Sequence, residues 1–299
     1  MVYIRRKVIE GPPCPCCGRT AYRQLYSTRP SGLGSLYDIA KCESCELVRT
    51  LPPPTPSDLQ ELYDEAYYSS RISDTRAQEE ELARFWTLYG LVKDRIPRGR
   101  LLSVGCGLGF DVRVAKQLGF AAEGIELSPA AVKFAQSTLG VEVRLCDFAA
   151  LASESESYDV VTFWDALEHL VDPRASLDRA RRLIRARGCV LVRAPNVEGL
   201  FPRVSLCTAK ITGEWRHPSP PHHVFDFSPK TLARLAGAAR LKVRSTIVDE
   251  WPQDRLIEGS RRPLVTKFLS AVLYPIARRT ATGNSFIMVL ERDEGSQRE

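Results

Sequence analysis

The 299-residue chain predicts an open α/β sandwich preceded by a small four-cysteine unit. Three observations carry this expectation. From Arg100 onward, apolar runs of strand length alternate with helical segments, as in a parallel sheet covered on both faces. The first run ends in a glycine turn, Gly105-Cys106-Gly107-Leu108-Gly109, and two C-x-x-C pairs stand near the N-terminus. Hydrophobic residues make up 44% and charged residues 26%, which places the chain among ordinary globular proteins and excludes disordered, collagenous and fibrous classes. The length suits one large domain or two ordinary ones.

The first element is the cysteine unit, assigned to residues 1–52. Cys14 and Cys17 lie in CPCCG, and Cys42 and Cys45 in KCESCEL. Each pair puts two sulfurs on one tight turn, and two facing turns complete the tetrahedral thiolate set that Zn2+ prefers. Between them, alternating and aromatic residues with a Gly-rich break suit short strands, a zinc-ribbon layout. Pro15 and Gly18 favour Cys14 and Cys17 as ligands and leave Cys16 spare. So small a unit draws most of its stability from the metal. Four thiolates leave no open position for water, so the expected role is structural.

Residues 53–98 read as a linker and helical lead-in. Prolines mark the junction, Ser57 is placed to cap a short Tyr-rich helix, and Leu82, Phe85, Trp86, Tyr89 and Val92 recur at helical spacing over Thr75–Ile96. The sandwich, 99–299, then runs strand LLSV, helix FDVRVAKQLG, strand AAEGIE, helix PAAVKFAQSTLG, strands VEVRLC and YDVVTFW, a helix over Ala175–Ala186, and strand GCVLVRA. Order loosens over Pro195–Phe227, expected to be a substrate-covering insertion, because a connection that long is more often functional than idle. A helix near Pro229–Ala239 and strands LKVRSTIVDE and NSFIMVLER close the domain.

Chemistry-bearing residues gather at the strand tips. The glycines let backbone approach a ligand closely, and Phe110 in the sixth position departs from the dinucleotide fingerprint and disfavours a nicotinamide cofactor. Glu126 ends the second strand, 21 residues after Gly105, where a carboxylate can accept hydrogen bonds from ribose hydroxyls. At the third tip Asp147 is placed to accept the adenine amino proton, with Phe148 covering the ring.

Taken together, Arg100–Arg292 resembles the class I S-adenosylmethionine-dependent methyltransferases. The resemblance rests on Gly105, Gly107 and Gly109, on Glu126, on Cys146-Asp147, on Trp164-Asp165-Ala166-Leu167-Glu168-His169, and on HHVFDFSPKTLARLAGAARLKV. The CPxCG and CxxCxLV leader, with its helix ending DEAYY, looks like that of a subset of these enzymes. It implies a Rossmann-like methyltransferase sandwich with a mostly parallel seven-stranded sheet. The implied S-adenosylmethionine contacts are Ser103, Gly105, Cys106, Gly107, Gly109, Glu126, Leu127, Asp147, Phe148 and Trp164. The family carries Asp or Glu two residues before the first loop glycine. Here that residue is Ser103, whose hydroxyl can bond the loop backbone or a water but cannot offset a sulfonium charge.

Methyl transfer to a hydroxyl needs a base. His169 is the first candidate, with loop bracing as the equally weighted alternative, and His222 and His223 compete with it or cap the following helix. His217 carries less signal. Cys106, Cys146, Cys189 and Cys207 read as small apolar side chains. The expected activity is methylation of a small-molecule acceptor, an oxygen of a sugar or another secondary metabolite, free or carrier-linked.

The rival reading is a zinc-ribbon nucleic-acid-binding module with a degenerate, non-catalytic cofactor domain. Lys plus Arg number 42 against 36 Asp plus Glu, a mild +6. Only four basic residues lie between Cys17 and Cys42, a thin footprint for phosphate, and no nucleic-acid partner is expected. MVYIRRKVIEGPPC has no apolar run suited to export, and a cytoplasmic protein is expected. KFLSAVLYPIARR is too short to span a bilayer. It either rests on an anionic membrane surface or packs on the domain.

Overall fold

The computed structural model describes residues 7–29, 35–55, 58, 65–152, 155–212, 215, 217, 220–249, 263–280, 282–293 and 295. The expected cap Ser57 lies outside the described residues. Four antiparallel strands form the N-terminal unit: β1 (Val8–Glu10), β2 (Ala21–Thr28), β3 (Tyr37–Cys42) and β4 (Val48–Leu51). Two helices follow, α1 (Glu65–Ser73) and α2 (Thr75–Val92), the latter capped by Asp74, whose side chain accepts from the Ala77 N–H. The lead-in helix therefore ends at Val92 rather than Ile96. Its buried face is Phe85, Leu88, Tyr89 and Val92, with Trp86 42% exposed. Position 86 is a hundred-degree step from Phe85, off the stripe that the i, i+4, i+7 spacing builds.

The second sheet has seven strands: β5 (Arg100–Val104), β6 (Ala121–Glu126), β7 (Val143–Leu145), β8 (Tyr158–Trp164), β9 (Ile184–Pro195), β11 (Leu241–Asp249) and β12 (Ser285–Arg292). Their order is β11-β12-β9-β8-β5-β6-β7, and β12 alone runs against the rest. The mostly parallel sandwich read from the alternation is the one observed. The central strands are buried on both faces, which is why Leu101-Leu102 and Val160-Val161 read as continuous apolar runs rather than alternating ones.

The helices of this layer are α3 (Phe110–Gln117), α4 (Pro129–Phe134), α5 (Pro173–Leu183), α6 (Leu200–Thr212), α7 (Pro229–Ala238) and α8 (Pro263–Thr280). Side chains of Ser128, Asp172 and Ser228 cap α4, α5 and α7. α6 is a helix where the sequence suggested loose order. Its Pro202 falls in the first turn, where a missing N–H costs nothing. α8 continues through Pro275. It leaves Leu264, Phe268, Val272 and Ile276 exposed at 82, 70, 47 and 45%, a stripe repeating every fourth residue, so this segment is not fully packed on the domain.

The two sheets are joined. Strand β10 (Phe225–Asp226), from the long segment after β9, pairs antiparallel with β4 and makes the N-terminal sheet five-stranded. Cys14, Tyr22, Cys42 and Leu47 share one apolar core with Phe225, Phe227, Leu232 and Leu235. The Thr50 hydroxyl donates to the His223 carbonyl (2.6 Å), and Arg234 donates to the Cys45 carbonyl (2.8 Å). The cysteine unit thus braces the chain that carries His222 and His223. No helix among the described residues is long and apolar enough to cross a membrane.

Candidate active site

β5 runs into the glycine turn with Gly105, Gly107 and Gly109 at φ of 66°, 53° and 82°, the left-handed region that only glycine enters without strain. A Cβ on Gly105 would stand 3.2 Å from Ala166 Cβ, and one on Gly109 3.0 Å from Ala135 Cβ. A Cβ on Gly107 would meet only the Tyr68 ring of α1, at 3.7 Å or beyond. Backbone there lies open to the cleft, a cradle suited to a nucleoside. Cys106 turns its thiol toward Gly124, where a Cβ would come within 2.5 Å of Sγ, so a small residue on β6 makes its room.

Glu126, at the tip of β6, is 8% exposed. Its Oε2 accepts the Gly107 N–H (2.9 Å), and its Oε1 accepts those of Leu127 (2.8 Å) and Ser128 (3.0 Å). Each carboxylate oxygen offers about two acceptor positions, so this one is oriented by backbone and keeps capacity toward the cleft. Leu127 beside it is 60% exposed. At the third tip Asp147 Oδ1 accepts the Ala149 N–H (2.9 Å), while Phe148 is buried edge-on to Phe163 with ring centroids 5.6 Å apart. Trp164 packs edge-to-face on Tyr89 and Phe85 of α2.

Ser103 is buried and donates its hydroxyl to Asp111 Oδ2 on α3. Asp111 is 1% exposed, and its Oδ1 has no partner among the described residues. Burial pushes this carboxyl up to about 7 against the Ser103 hydrogen bond. A carboxyl absent at position 103 is therefore present one layer below, eight residues on. The signal for it was a lone acid in FDVRVA on the face that buries Val112, Val114 and Ala115.

Beyond β8 the chain turns through Asp165, whose φ of 51° is left-handed for a non-glycine residue. Arg193 of β9, 2% exposed at its side chain, donates to both Asp165 oxygens (2.5 Å each) and to Asp249 (2.7 Å). Arg84 of α2 adds a further bond to Asp165. Burial works against ionisation of Asp165, but Arg193 and Arg84 outweigh it and hold the carboxyl below its ordinary value.

Next, a 3-10 turn at Leu167–His169 presents Glu168 and His169. Glu168 is 1% exposed, and neither of its oxygens has a hydrogen-bond partner among the described residues. Burial, then repulsion from Asp165, pushes its carboxyl up to about 8. His169 Nδ1 donates to the His222 carbonyl (2.7 Å). Burial, then the charge on His223, pulls His169 down to about 3. The His223 ring lies 5.1 Å from that of His169, and its Nδ1 faces Asp226 Oδ1 at 3.2 Å. Burial opposes protonation of His223, but the bond and charge of Asp226 raise it overall. His169 and His223 are thus brought together with Glu168, a residue the sequence reading had assigned no role of its own. The His222 carbonyl fixes the His169 ring, and its own side chain lines the cleft.

Gly105, Gly107, Glu126, Asp147, Trp164, Glu168, His169 and His223 face one cleft of about 2440 Å³, with Ser103, Asp111 and Arg193 set behind its wall, and that volume is well above the roughly 300 to 1,000 Å³ of a single small-ligand pocket. It has room for a nucleoside and a second molecule. At the N-terminal unit, Cys14, Cys17, Cys42 and Cys45 bring their sulfurs within 4.8 Å of one another, with Cys14–Cys45 at 3.4 Å and Cys17–Cys42 at 3.5 Å. Sulfurs about 2.3 Å from one tetrahedral Zn2+ are roughly 3.8 Å apart, so the set fits that ion, and Cys16 is not part of it.

The sheet order, the glycine turn and the strand-tip carboxylate define a class I S-adenosylmethionine-dependent methyltransferase. Residues 73–246 match the family model described as a methyltransferase domain, and the chain belongs to that family. Ubiquinone biosynthesis O-methyltransferase of Xanthomonas campestris pv. campestris (strain B100) is 29% identical over 163 residues, covering 52% of this chain and 68% of that protein. The protein of the same name from Paracidovorax citrulli is 30% identical over 169 residues, covering 49% and 65%. Magnesium protoporphyrin IX methyltransferase (ChlM) of Synechocystis PCC 6803, with bound SAH, superposes with a TM-score of 0.53 at 14% identity, over 80% of this chain and 100% of that one. A SAM-dependent methyltransferase from Archaeoglobus fulgidus gives 0.51 at 17% identity, over 77% and 100%. These two share the fold.

Proposed function

We propose that the chain transfers a methyl group from S-adenosylmethionine to an oxygen of a small-molecule acceptor, a sugar or a carrier-linked metabolite. One observation carries the reading: the same cleft has a glycine cradle with an oriented carboxylate on one wall and a buried Glu–His–His group on another. The O-methyltransferase names of the curated relatives support oxygen as the acceptor atom. When bound, S-adenosylmethionine supplies an electrophilic methyl on a sulfonium, so the protein mainly has to hold the acceptor in line with it.

In this reading Gly105, Gly107 and Gly109 admit the cofactor's backbone-facing edge, with Ser103 and Cys106 shaping the turn. Glu126 holds the ribose hydroxyls. Asp147 takes the adenine amino proton, Leu127 and Phe148 flank the ring, and Trp164 walls the methyl end. Above about pH 7, Asp111, bonded to Ser103 behind the turn, provides negative charge that position 103 lacks. The acceptor hydroxyl lies against Glu168, His169 and His223, with His222 at the rim, and gives up its proton as the methyl moves. Zn2+ on Cys14, Cys17, Cys42 and Cys45 keeps the N-terminal unit folded under His223. The division into a ribbon over 1–52, a lead-in over 53–98 and a methyltransferase domain over 99–299 belongs to the same reading, with 195–227 as the acceptor-side insertion.

The exposed apolar stripe of α8, with Lys267 and Arg279 also exposed on a helix free of acidic residues, fits contact with an anionic lipid surface. Co-sedimentation with phosphatidylglycerol vesicles tests it, and equal recovery with neutral vesicles would discard it. The main test is incubation with methyl-labelled S-adenosylmethionine and a panel of hydroxylated acceptors, with the label located by mass spectrometry. Label on oxygen is expected. Label on nitrogen or carbon, or none on any acceptor, would overturn the assignment.

A further inference from the structure

The Glu168, His169 and His223 group has features that a base alone does not need. One donor atom from each lies within 4.8 Å of the other two. Glu168 is 1% exposed, yet neither carboxylate oxygen has a partner among the described residues. A buried carboxylate without donors is costly, and such groups in native structures are as a rule paired or coordinate a metal.

The two imidazoles are fixed in matching tautomers. A backbone carbonyl can only accept, so His169 Nδ1 carries the proton it shares with His222 and the ring's lone pair is on Nε2. Asp226, 1% exposed, faces His223 Nδ1 at 3.2 Å and selects the same tautomer there. A second hydrogen bond that orients each ring and leaves Nε2 as the donor atom is the arrangement usual around metal-bound histidines. The bracing extends further out. His217 Nε2 lies 3.7 Å from Asp226, and the Thr50 hydroxyl bonds the His223 carbonyl from the cysteine unit.

We propose that His169 Nε2, His223 Nε2 and the Glu168 carboxylate form a binding site for one divalent first-row cation, separate from the four-cysteine site. Two imidazoles and one carboxylate make a nitrogen and oxygen set that leaves coordination positions open, unlike the closed thiolate set. Those positions face the cleft, since Glu168, His169 and His223 all line it. Resting on the function proposed above, the ligand class for them is an oxygen donor of the acceptor. A cation there lowers the pKa of a hydroxyl it touches, so the O–H proton departs to water in the open cleft and the oxygen is left to attack the methyl carbon. As that oxygen–carbon bond forms, the carbon–sulfur bond breaks, and sulfur keeps the electron pair as a neutral thioether.

The experiment uses the full chain holding one equivalent of zinc, which the four thiolates take first, titrated with Mn2+, a hard ion that thiolates bind poorly. Free Mn2+ is read by electron paramagnetic resonance, without acceptor or cofactor. One saturable Mn2+ per chain is expected. Glu168→Gln and His223→Gln should each weaken it at least about tenfold, as loss of a ligand does, while zinc content and S-adenosylmethionine binding stay as in the parent chain. Glu168→Gln keeps the side-chain volume, so its circular dichroism and melting curve separate ligand loss from unfolding. Absence of saturable Mn2+, or binding that survives both substitutions, would overturn the site. Stoichiometric Mn2+ lost in both variants sustains it even if no acceptor is ever methylated, so the site and the reaction are judged separately.

Discussion

Asp111→Asn should make the protein more stable at pH 8 than at pH 5 relative to the parent. The Asp111 carboxyl sits near 7 in the folded chain against an ordinary 3.8, chiefly because it is buried. Ser103, on β5, donates to it, and Glu81, across on α2, adds repulsion. Tyr89 and Cys106 feel its charge in turn. Below pH 3.8 both folded and unfolded chains hold the proton, and the residue contributes nothing to the pH dependence. Between about 4 and 7 the unfolded chain releases a proton that the folded chain keeps, so stability falls as pH rises. Above 7 the full cost is present. At 1.36 kcal/mol per pH unit that cost is roughly 4 kcal/mol, an upper figure because water can relieve part of it.

Asparagine keeps the shape and can still accept from Ser103, but has no charge to bury. Thermal melts from pH 5 to 8 should show the variant gaining on the parent, by roughly 2 to 4 °C for each kcal/mol recovered. A difference in melting temperature that stays constant across this range would refute the assignment. Because the proposed function uses that charge beneath a sulfonium, the same variant should lose more affinity for S-adenosylmethionine than for its neutral thioether product, measured by calorimetry.

Glu126→Ala should weaken S-adenosylmethionine binding by about 10- to 100-fold, the equivalent of roughly 1.5 to 3 kcal/mol for charge-assisted hydrogen bonds, and calorimetry reads it directly. Cys42→Ser with Cys45→Ser should remove about one zinc per chain by metal analysis. It should also depress turnover, because β4 and Thr50 hold the His223 segment and misplacing a reacting group by an ångström costs on the order of a hundredfold. Arg193→Ala removes the guanidinium that bonds Asp249 and leaves the half-buried Asp165 with Arg84 alone. It should lower stability by roughly 3 to 5 kcal/mol, seen in urea unfolding.

Much of the architecture could be read from the chain because short-range physics produces it. Strand and helix periods differ, so the alternation from Arg100 to β9 was visible without coordinates. The glycines at 105, 107 and 109 announce positive φ, and the four-cysteine set was readable because two C-x-x-C pairs are the residue type and spacing that a tetrahedral thiolate site would require. α6 is not legible in the sequence, since a proline at 202 suits a helix only in its first turn, and the start at Leu200 is set by the fold. Trp86 fits the apolar arc of α2 by spacing, yet it sits at the edge of that arc, and only docking shows which edge is covered.

What only the tertiary structure decided depends on contacts between residues distant in sequence. Ser103 looked like a missing charge until α3 folded back and set Asp111 beneath it. Arg193 reads as one polar residue in a buried strand, and it takes β8 and β11 to bring Asp165 and Asp249 to its two sides. Glu168 and His169 are neighbours in sequence. His223 joins them from more than fifty residues away only because β10 pairs with β4 and ties the N-terminal unit to the cleft. Local patterns specify elements because backbone sterics and side-chain polarity act over a few residues. A site needs several elements docked at once, and the burial that gives its carboxyls and imidazoles their character exists only after that docking.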